Sequence, residues 1–387
     1  MPSMVAPFYL SAFAWNFALA MSYLLVPLYA LDLGYSGLQI GGLIGLPILF
    51  QVGFNLVGGV LVDRIGAKNI LRCASIAMAL ASAVYALSWN FVGLLTGQLL
   101  FMLSRASFWP ANWALASQLP GEGSRNLGHL NSTSSAGQIA GIAASGVVVQ
   151  MLGYRGGFWI MALVSLVSLA ISASIRHTRP SQSGNRASFA ATYGMLAGIR
   201  QMYLAILCSF IACIPFTMSS SFYPVLLVEQ GFNSDAAGWL LSIRAVGSIF
   251  AGLLLVRWIK SARSRVGPIG CGLVIAATLA LTPMTADPWL IGLLMAAVGL
   301  ASGVLSIYFQ SLSSSASPPE LRGSAMSFGG LGWQMCNLLV PPLMGGLRDE
   351  FGLMHAFFAI GGLMLAATLA IVPLHVWVFG RRDREAA

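Results

Sequence analysis

The chain has 387 residues, of which 57% are hydrophobic and 8% charged, with a formal net charge of +9; its mean hydropathy is +0.81. Ordinary soluble domains carry roughly 25% charged residues, so a soluble globule of this composition would lack the polar surface to cover itself. Lipid suits such a chain, and a lipid-spanning backbone must satisfy its own hydrogen bonds as helices or as a closed barrel.

The apolar stretches run about 20 residues without strict alternation, which selects helices over barrel strands. In chain order the expected spans are 7–30, 37–62, 70–88, 91–118, 128–152 and 155–176, then 201–228, 235–259, 267–285, 288–314, 323–347 and 353–379. The first has no basic leader or cleavage site and is expected to be retained as a helix. A polar stretch at 177–200 divides the chain into an N-terminal six-helix bundle, 1–176, and a C-terminal one, 201–387. The expected fold is all-α, with twelve transmembrane helices in two pseudo-symmetric six-helix bundles.

The basic excess is a topology signal rather than a nucleic-acid patch. Of the 20 Lys and Arg, 16 fall on one set of loops: Arg64 to Arg72, Arg125, Arg176 to Arg200, Arg257 to Arg265, Arg322 and Arg381 to Arg384. That asymmetry places both termini in the cytoplasm. Cys73, Cys208, Cys213, Cys271 and Cys336 have no metal spacing and read as free thiols, the four His are scattered, and no metal or cofactor is expected.

The halves repeat one another. Asp32-Leu-Gly34-Tyr ends the first helix and Glu229-Gln-Gly231-Phe the seventh, 197 residues on. Gly128 and Gly137 recur as Gly323 and Gly332, shifted by 195, and Gly153 with Phe158 recurs as Gly352 with Phe357, shifted by 199. Three matches in one order at nearly one offset indicate an internal duplication.

Between the second and third helices stands Gly59-Val-Leu61-Val-Asp63-Arg64-Ile-Gly66-Ala-Lys68. This resembles the signature loop of the major facilitator superfamily, and the likeness extends over the whole chain in length, helix count, basic loops and central linker. The resemblance implies that Gly59, Asp63, Arg64, Gly66 and Lys68 form a latch biasing the inward/outward equilibrium; on physical grounds alone the loop is a helix-capping turn held at an anionic surface. After the eighth helix, Gly252-Leu-Leu-Leu-Val-Arg257 lacks the matching Asp. The fifth helix carries Gly137-x-x-x-Gly141-Ile142-x-x-Ser145-Gly146, which resembles the family's antiporter motif with Ile142 and Ser145 in place of Pro and Gly. Close helix packing explains that run equally well.

Arg105 and Arg244 lie within apolar helices, where an unpaired charge costs roughly 2.5–17 kcal/mol, so each must face protein interior or a hydrated cavity. Gln98, Arg105, Trp109 and Asn112 fall at i, i+7, i+11 and i+14, one stripe at helical period. In the family, helices one, four, seven and ten line the central path, which makes this stripe the substrate-binding candidate; the family's usual fourth-helix Arg would fall at Gln98, two turns from Arg105. Asn16 and Tyr23 on the first helix, Gln310 on the tenth, and Trp333, Gln334 and Asn337 on the eleventh join the candidate set. The alternative for each polar residue is interhelical glue, and for each Arg a buried guanidinium satisfied by backbone.

All 11 acids fall in loops or at helix ends. Two membrane arginines without membrane acids leave positive potential, which points to an anionic or amphipathic organic solute. Three readings follow: a secondary transporter working by alternating access, a non-transporting sensor of the same fold, and a membrane enzyme. No His or acid is placed to activate a nucleophile, which removes the enzyme. An efflux pump for hydrophobic compounds is the alternative within the transporter class, suited by 17 Met and 21 Phe. The expected partners are the lipid bilayer, a small-molecule substrate and a coupling ion, proton or anion. No nucleic acid is expected, and the working form is a monomer in the cytoplasmic (inner) membrane.

Overall fold

The computed structural model describes residues 5–54, 66–119, 123–175, 189–251, 265–317 and 321–380. These residues are helical apart from short connections. Helices α1 (Val5–Asp32), α2 (Gly37–Phe54), α3 (Ala67–Leu87), α4 (Phe91–Gln118) and α5 (Gly123–Ser174) come first. The short α6 (Phe189–Ala197) lies in the expected linker. Then follow α7 (Arg200–Ser219), α8 (Phe222–Glu229), α9 (Ser234–Phe250), α10 (Val266–Leu281), α11 (Pro288–Ser315), α12 (Arg322–Gly329), α13 (Leu331–Phe351) and α14 (Leu353–Phe379).

Twelve membrane passes result. Among the described residues, nine helices are long and apolar enough to cross a bilayer. One of them, α5, folds back at Gly153 (φ 68°, ψ 178°) and supplies two passes. Helix α9 adds another although its described part is 17 residues. Helices α12 and α13 add the last, α13 ending in Arg348, Asp349 and Glu350. Helices α7 and α8 form one pass interrupted at Ser220–Ser221, with Ser221 outside helical backbone space at φ −135°, ψ −79°.

The duplication read from sequence is visible in the backbone. Gly34 and Gly231 both take positive φ (78° and 92°). At the first, Gly34 N–H donates to the Leu31 carbonyl and Tyr35 N–H to the Ala30 carbonyl; at the second, Gly231 donates to Val228 and Phe232 to Leu227. These are two copies of one Schellman cap, a turn whose left-handed residue favours glycine. Gly153 and Gly352 likewise share positive φ, and Phe158 and Phe357 after them are both fully buried.

Two compact units are present: Met1–Gly184 with Ser220–Ser242, and Asn185–Ser219 with Ile243–Ala387. In the first, α1 packs along α5, and α3 packs against α4 and α5. The glycines of the fifth-helix motif let backbones touch. A Cβ at Gly137 or Gly141 would collide with the Phe13 or Phe17 carbonyl of α1, and one at Gly146 with the Ser234 carbonyl of α9. Close packing therefore accounts for that glycine run. In the second unit, α7 packs against α11 and α13, and α10 against α14. A Cβ at Gly332 of α13 would collide with the Ile206 carbonyl of α7, the counterpart of Gly137 against α1.

Candidate functional site

The rotation of α4 is fixed by a relay across three helices. The Trp15 ring of α1 lies flat on Phe108 of α4, 3.6 Å between centroids at 7°. Trp15 Nε1–H donates to Ser104 Oγ at 3.0 Å, and Ser104 Oγ–H donates to the Ala74 carbonyl of α3 at 2.7 Å. Ser104 and Phe108 thus share the face held by α1 and α3. Arg105 and Trp109, each one residue on, are turned about 100° from it.

Arg105 is half-buried. Its Nη1 lies 3.8 Å from Met102 Sδ, and its guanidinium carbon stands 5.9 Å from the Phe101 ring centre. Both partners belong to its own helix, and among the described residues no oxygen accepts from it. A guanidinium offers five N–H donors, so a weak sulfur contact leaves its fork open. Trp109, also half-buried, meets Phe108 edge-on at 5.4 Å and Trp113 at 5.9 Å. Gln98 and Asn112 complete the stripe and are buried. Asn112 Nδ2 donates to the Phe108 carbonyl at 2.9 Å. Gln98 Oε1 and Asn112 Oδ1 are enclosed with no donor among the described residues, a condition that costs about 1–3 kcal/mol per group.

On α1, Asn16 is fully buried and tied twice: Nδ2 donates to the Ala12 carbonyl at 2.9 Å, and Oδ1 accepts from Gln138 Nε2 of α5 at 3.0 Å. Gln138 was not singled out from sequence; its place beside Gly137, where α1 and α5 touch, was the available signal. Tyr23 is buried within the same unit.

The second unit carries its own polar cluster. Thr217 Oγ1–H donates to Asn337 Oδ1 at 2.9 Å. Asn337 Nδ2 donates to the Trp333 carbonyl at 3.0 Å and to Cys213 Sγ at 3.3 Å. Cys336 Sγ lies 3.4 Å from Thr217 Oγ1. The Trp333 ring meets Phe216 at 5.5 Å, and the Arg244 guanidinium stands 5.9 Å from that same Phe216 ring centre. Arg244 is buried, 5% exposed, and so more enclosed than Arg105. Gln334 is half-buried and Gln310 exposed, and neither is drawn into this cluster. The signal for Thr217, Cys213 and Cys336 lay only in their spacing along α7 and α13.

Of the expected latch, Gly66 caps α3 with φ 88° and Lys68 is half-buried in the first turn of that helix. Gly59, Asp63 and Arg64 lie outside the described residues. Among the described residues the acids stay off mid-helix: Asp32, Glu229, Asp287, Asp349 and Glu350 are exposed, and Asp235 sits in the first turn of α9. No group of three His, Cys, Asp or Glu gathers there as a metal ion would need.

The chain is similar to known transporters along its whole length. The Major Facilitator Superfamily profile matches residues 8–204 and again 205–387, one match on each side of the duplication. A 3-(3-hydroxy-phenyl)propionate transporter of Escherichia coli (strain K12) is 25% identical over 378 residues, covering 90% of this chain and 86% of the relative. The multidrug resistance protein MdtG of Citrobacter koseri is 25% identical over 389 residues, covering 95% and 92%. In fold, the crystal structure of the nucleoside transporter NupG superposes with a TM-score of 0.79 at 14% identity, covering 96% of this chain and 98% of that one. With twelve apolar passes, a duplicated layout and a profile match on both halves, the chain belongs to the major facilitator superfamily and is a multi-pass membrane protein, a secondary transporter rather than an enzyme.

Proposed function

We propose that the protein carries a small organic carboxylate across the cytoplasmic membrane by alternating access, with Arg105 making the anion contact. The observation that carries this reading is the guanidinium of Arg105: half-buried within a membrane helix, its hydrogen-bond and cation–π partners among the described residues are a thioether and a phenyl ring. A charge so placed is retained for function more often than for packing, and a carboxylate matches its planar fork in bidentate fashion. The similarity to a transporter whose substrate is an aryl propionate supports the same chemistry. Trp109 offers a ring for the apolar part of such a molecule, while Gln98, Asn112, Asn16 and Tyr23 line or support that stripe. In the second unit Arg244, Trp333 and Asn337 are the candidate counterparts, with Gln334 and Gln310 as outlying members.

The rest of this reading is a monomer with both termini in the cytoplasm of the inner membrane, divided in sequence into 1–176, the linker 177–200 and 201–387. Gly59, Asp63, Arg64, Gly66 and Lys68 act as its conformational latch, and a proton or an anion is the coupling ion. The similarity to MdtG favours a second reading, efflux of hydrophobic compounds. Uptake into proteoliposomes separates the two. Under the carboxylate reading aryl carboxylates are transported, cationic dyes are not, and Arg105→Gln lowers uptake by about tenfold or more, one lost charge-assisted contact being worth about 1.5–3 kcal/mol. Normal rate and affinity in Arg105→Gln would remove Arg105 from the site.

A further inference from the structure

Two amide oxygens on α4 are shut inside the first unit with nothing among the described residues donating to them: Gln98 Oε1, two helical turns before Arg105, and Asn112 Oδ1, two turns after it. The orientation of the Asn112 amide is fixed. Its Nδ2 donates to the Phe108 carbonyl at 2.9 Å, and turning the group over would set oxygen against oxygen. The Asn112 oxygen is therefore an acceptor directed away from its own helix, on the face that Arg105 and Trp109 share. A buried acceptor in that condition calls for a specific cause, and a hydrogen-bond donor on the transported molecule is one.

Seven residues of helix separate Arg105 from Asn112, roughly 10 Å along the axis. Between them stands Trp109, half-buried, its ring edge-on to Phe108 and tilted against Trp113. On the other side, toward Gln98, the aromatic residue is Phe101, which is buried and offers no free face. We propose that the substrate is a donor-bearing aryl carboxylate: its carboxylate meets Arg105, its ring lies on Trp109, and a hydroxyl or ammonium at its far end donates to Asn112 Oδ1. The proposal rests on the carboxylate reading of Arg105 given above. Asn112 is fully buried in this conformation, so the donor reaches its oxygen when the surrounding helices part during the transport cycle. An acid without the donor leaves that oxygen unfilled, and a site built on a polar partner rejects the analogue lacking it more strongly than an apolar site rejects an added group.

The test is calorimetric binding of two acids of matching length to the full-length protein in nanodiscs: 4-(4-hydroxyphenyl)butanoate and 4-phenylbutanoate. The wild type is expected to bind the hydroxylated acid about tenfold more tightly. Asn112→Leu brings the two affinities to within about twofold of each other, and Arg105→Gln weakens both acids. Equal affinity of the wild type for the two acids overturns the Asn112 assignment while leaving carboxylate binding intact, and so does a preference that survives in Asn112→Leu. Failure of the wild type to bind either acid overturns the Arg105 reading, and this inference with it. The wild-type comparison decides the matter even where a variant does not fold.

Discussion

At the scale of single residues, polar groups inside the bilayer fall into three conditions. Some are satisfied on their own helix: Ser82 donates to the Met78 carbonyl at 2.7 Å, and Thr368 to that of Met364 at 2.7 Å. Others join helices, as Ser11, Ser168 and Ser75 do at contacts of 3.3 Å. A third group, Gln98 and Asn112, holds buried oxygens with no donor among the described residues. The sequence shows which face of α4 collects polar residues but not which condition each is in. The partner that decides it comes from far along the chain, 122 residues away for Asn16 and Gln138 and 120 for Thr217 and Asn337. The Trp15–Ser104–Ala74 relay makes this difference measurable. Trp15→Phe removes one donor and keeps the stacked ring, so it should cost roughly 0.6 kcal/mol, the mean for an interhelical hydrogen bond in a membrane. Ser104→Ala leaves the buried Trp15 N–H without an acceptor and should cost more, about 1–3 kcal/mol. Thermal unfolding in detergent should rank Tm as wild type, then Trp15→Phe, then Ser104→Ala. The reverse order would mean that the stack alone sets the rotation of α4.

At the scale of elements, what was legible in the sequence was local chemistry. The twelve spans follow from runs of apolar residues, and the matched glycines at helix ends follow from a backbone conformation that few other residues adopt. Interruptions without a local cause were not legible. The break between α7 and α8 at Ser220–Ser221 and that between α12 and α13 at Gly329–Gly330 lie inside stretches read as single helices. Helix α6 forms in a stretch read as linker because Leu196 buries itself with Met202 and Ala325, the last of these 129 residues away. Glycine substitutions test this division between local and tertiary causes. Gly34→Ala and Gly231→Ala place a side chain at positive φ with open space around it and should cost about 1–2 kcal/mol each, by the same mechanism in both repeats. Gly332→Ala forces a Cβ onto the Ile206 carbonyl and should cost more, with poor yield of folded protein. Gly128 is helical, exposed and has nothing within 4 Å of an added Cβ. There Gly128→Ala should be neutral or stabilising by about 0.5–1 kcal/mol. Equal losses at Gly128 and Gly34 would show that the cap conformation is not what glycine supplies.

At the scale of the whole molecule, charge predicts an orientation for the twelve passes. Concentrating 16 of 20 Lys and Arg on alternate loops leaves the opposite loops nearly free of basic residues, and retention of basic loops on the cytoplasmic side would then set the direction of every pass. The charge rule predicts the α1–α2 turn at Ser36 and the α10–α11 turn at Ala286 outside, and the α6–α7 turn at Gly198 inside; all three positions are exposed. Single cysteines probe them directly. The native thiols Cys208, Cys213 and Cys336 are buried, and exposed Cys73 can be replaced by serine to lower the background. In intact cells a membrane-impermeant maleimide should label Ser36→Cys and Ala286→Cys and leave Gly198→Cys unlabelled until the membrane is permeabilised. The two outer positions lie in different halves of the duplication, so they report on separate sets of basic loops. Labelling of one without the other would require an odd number of passes between them, and that would contradict both the twelve-pass count and the repeat. Labelling of Gly198→Cys alone would preserve the count and invert the membrane orientation, so that the arginine-rich loops faced outward against the charge rule.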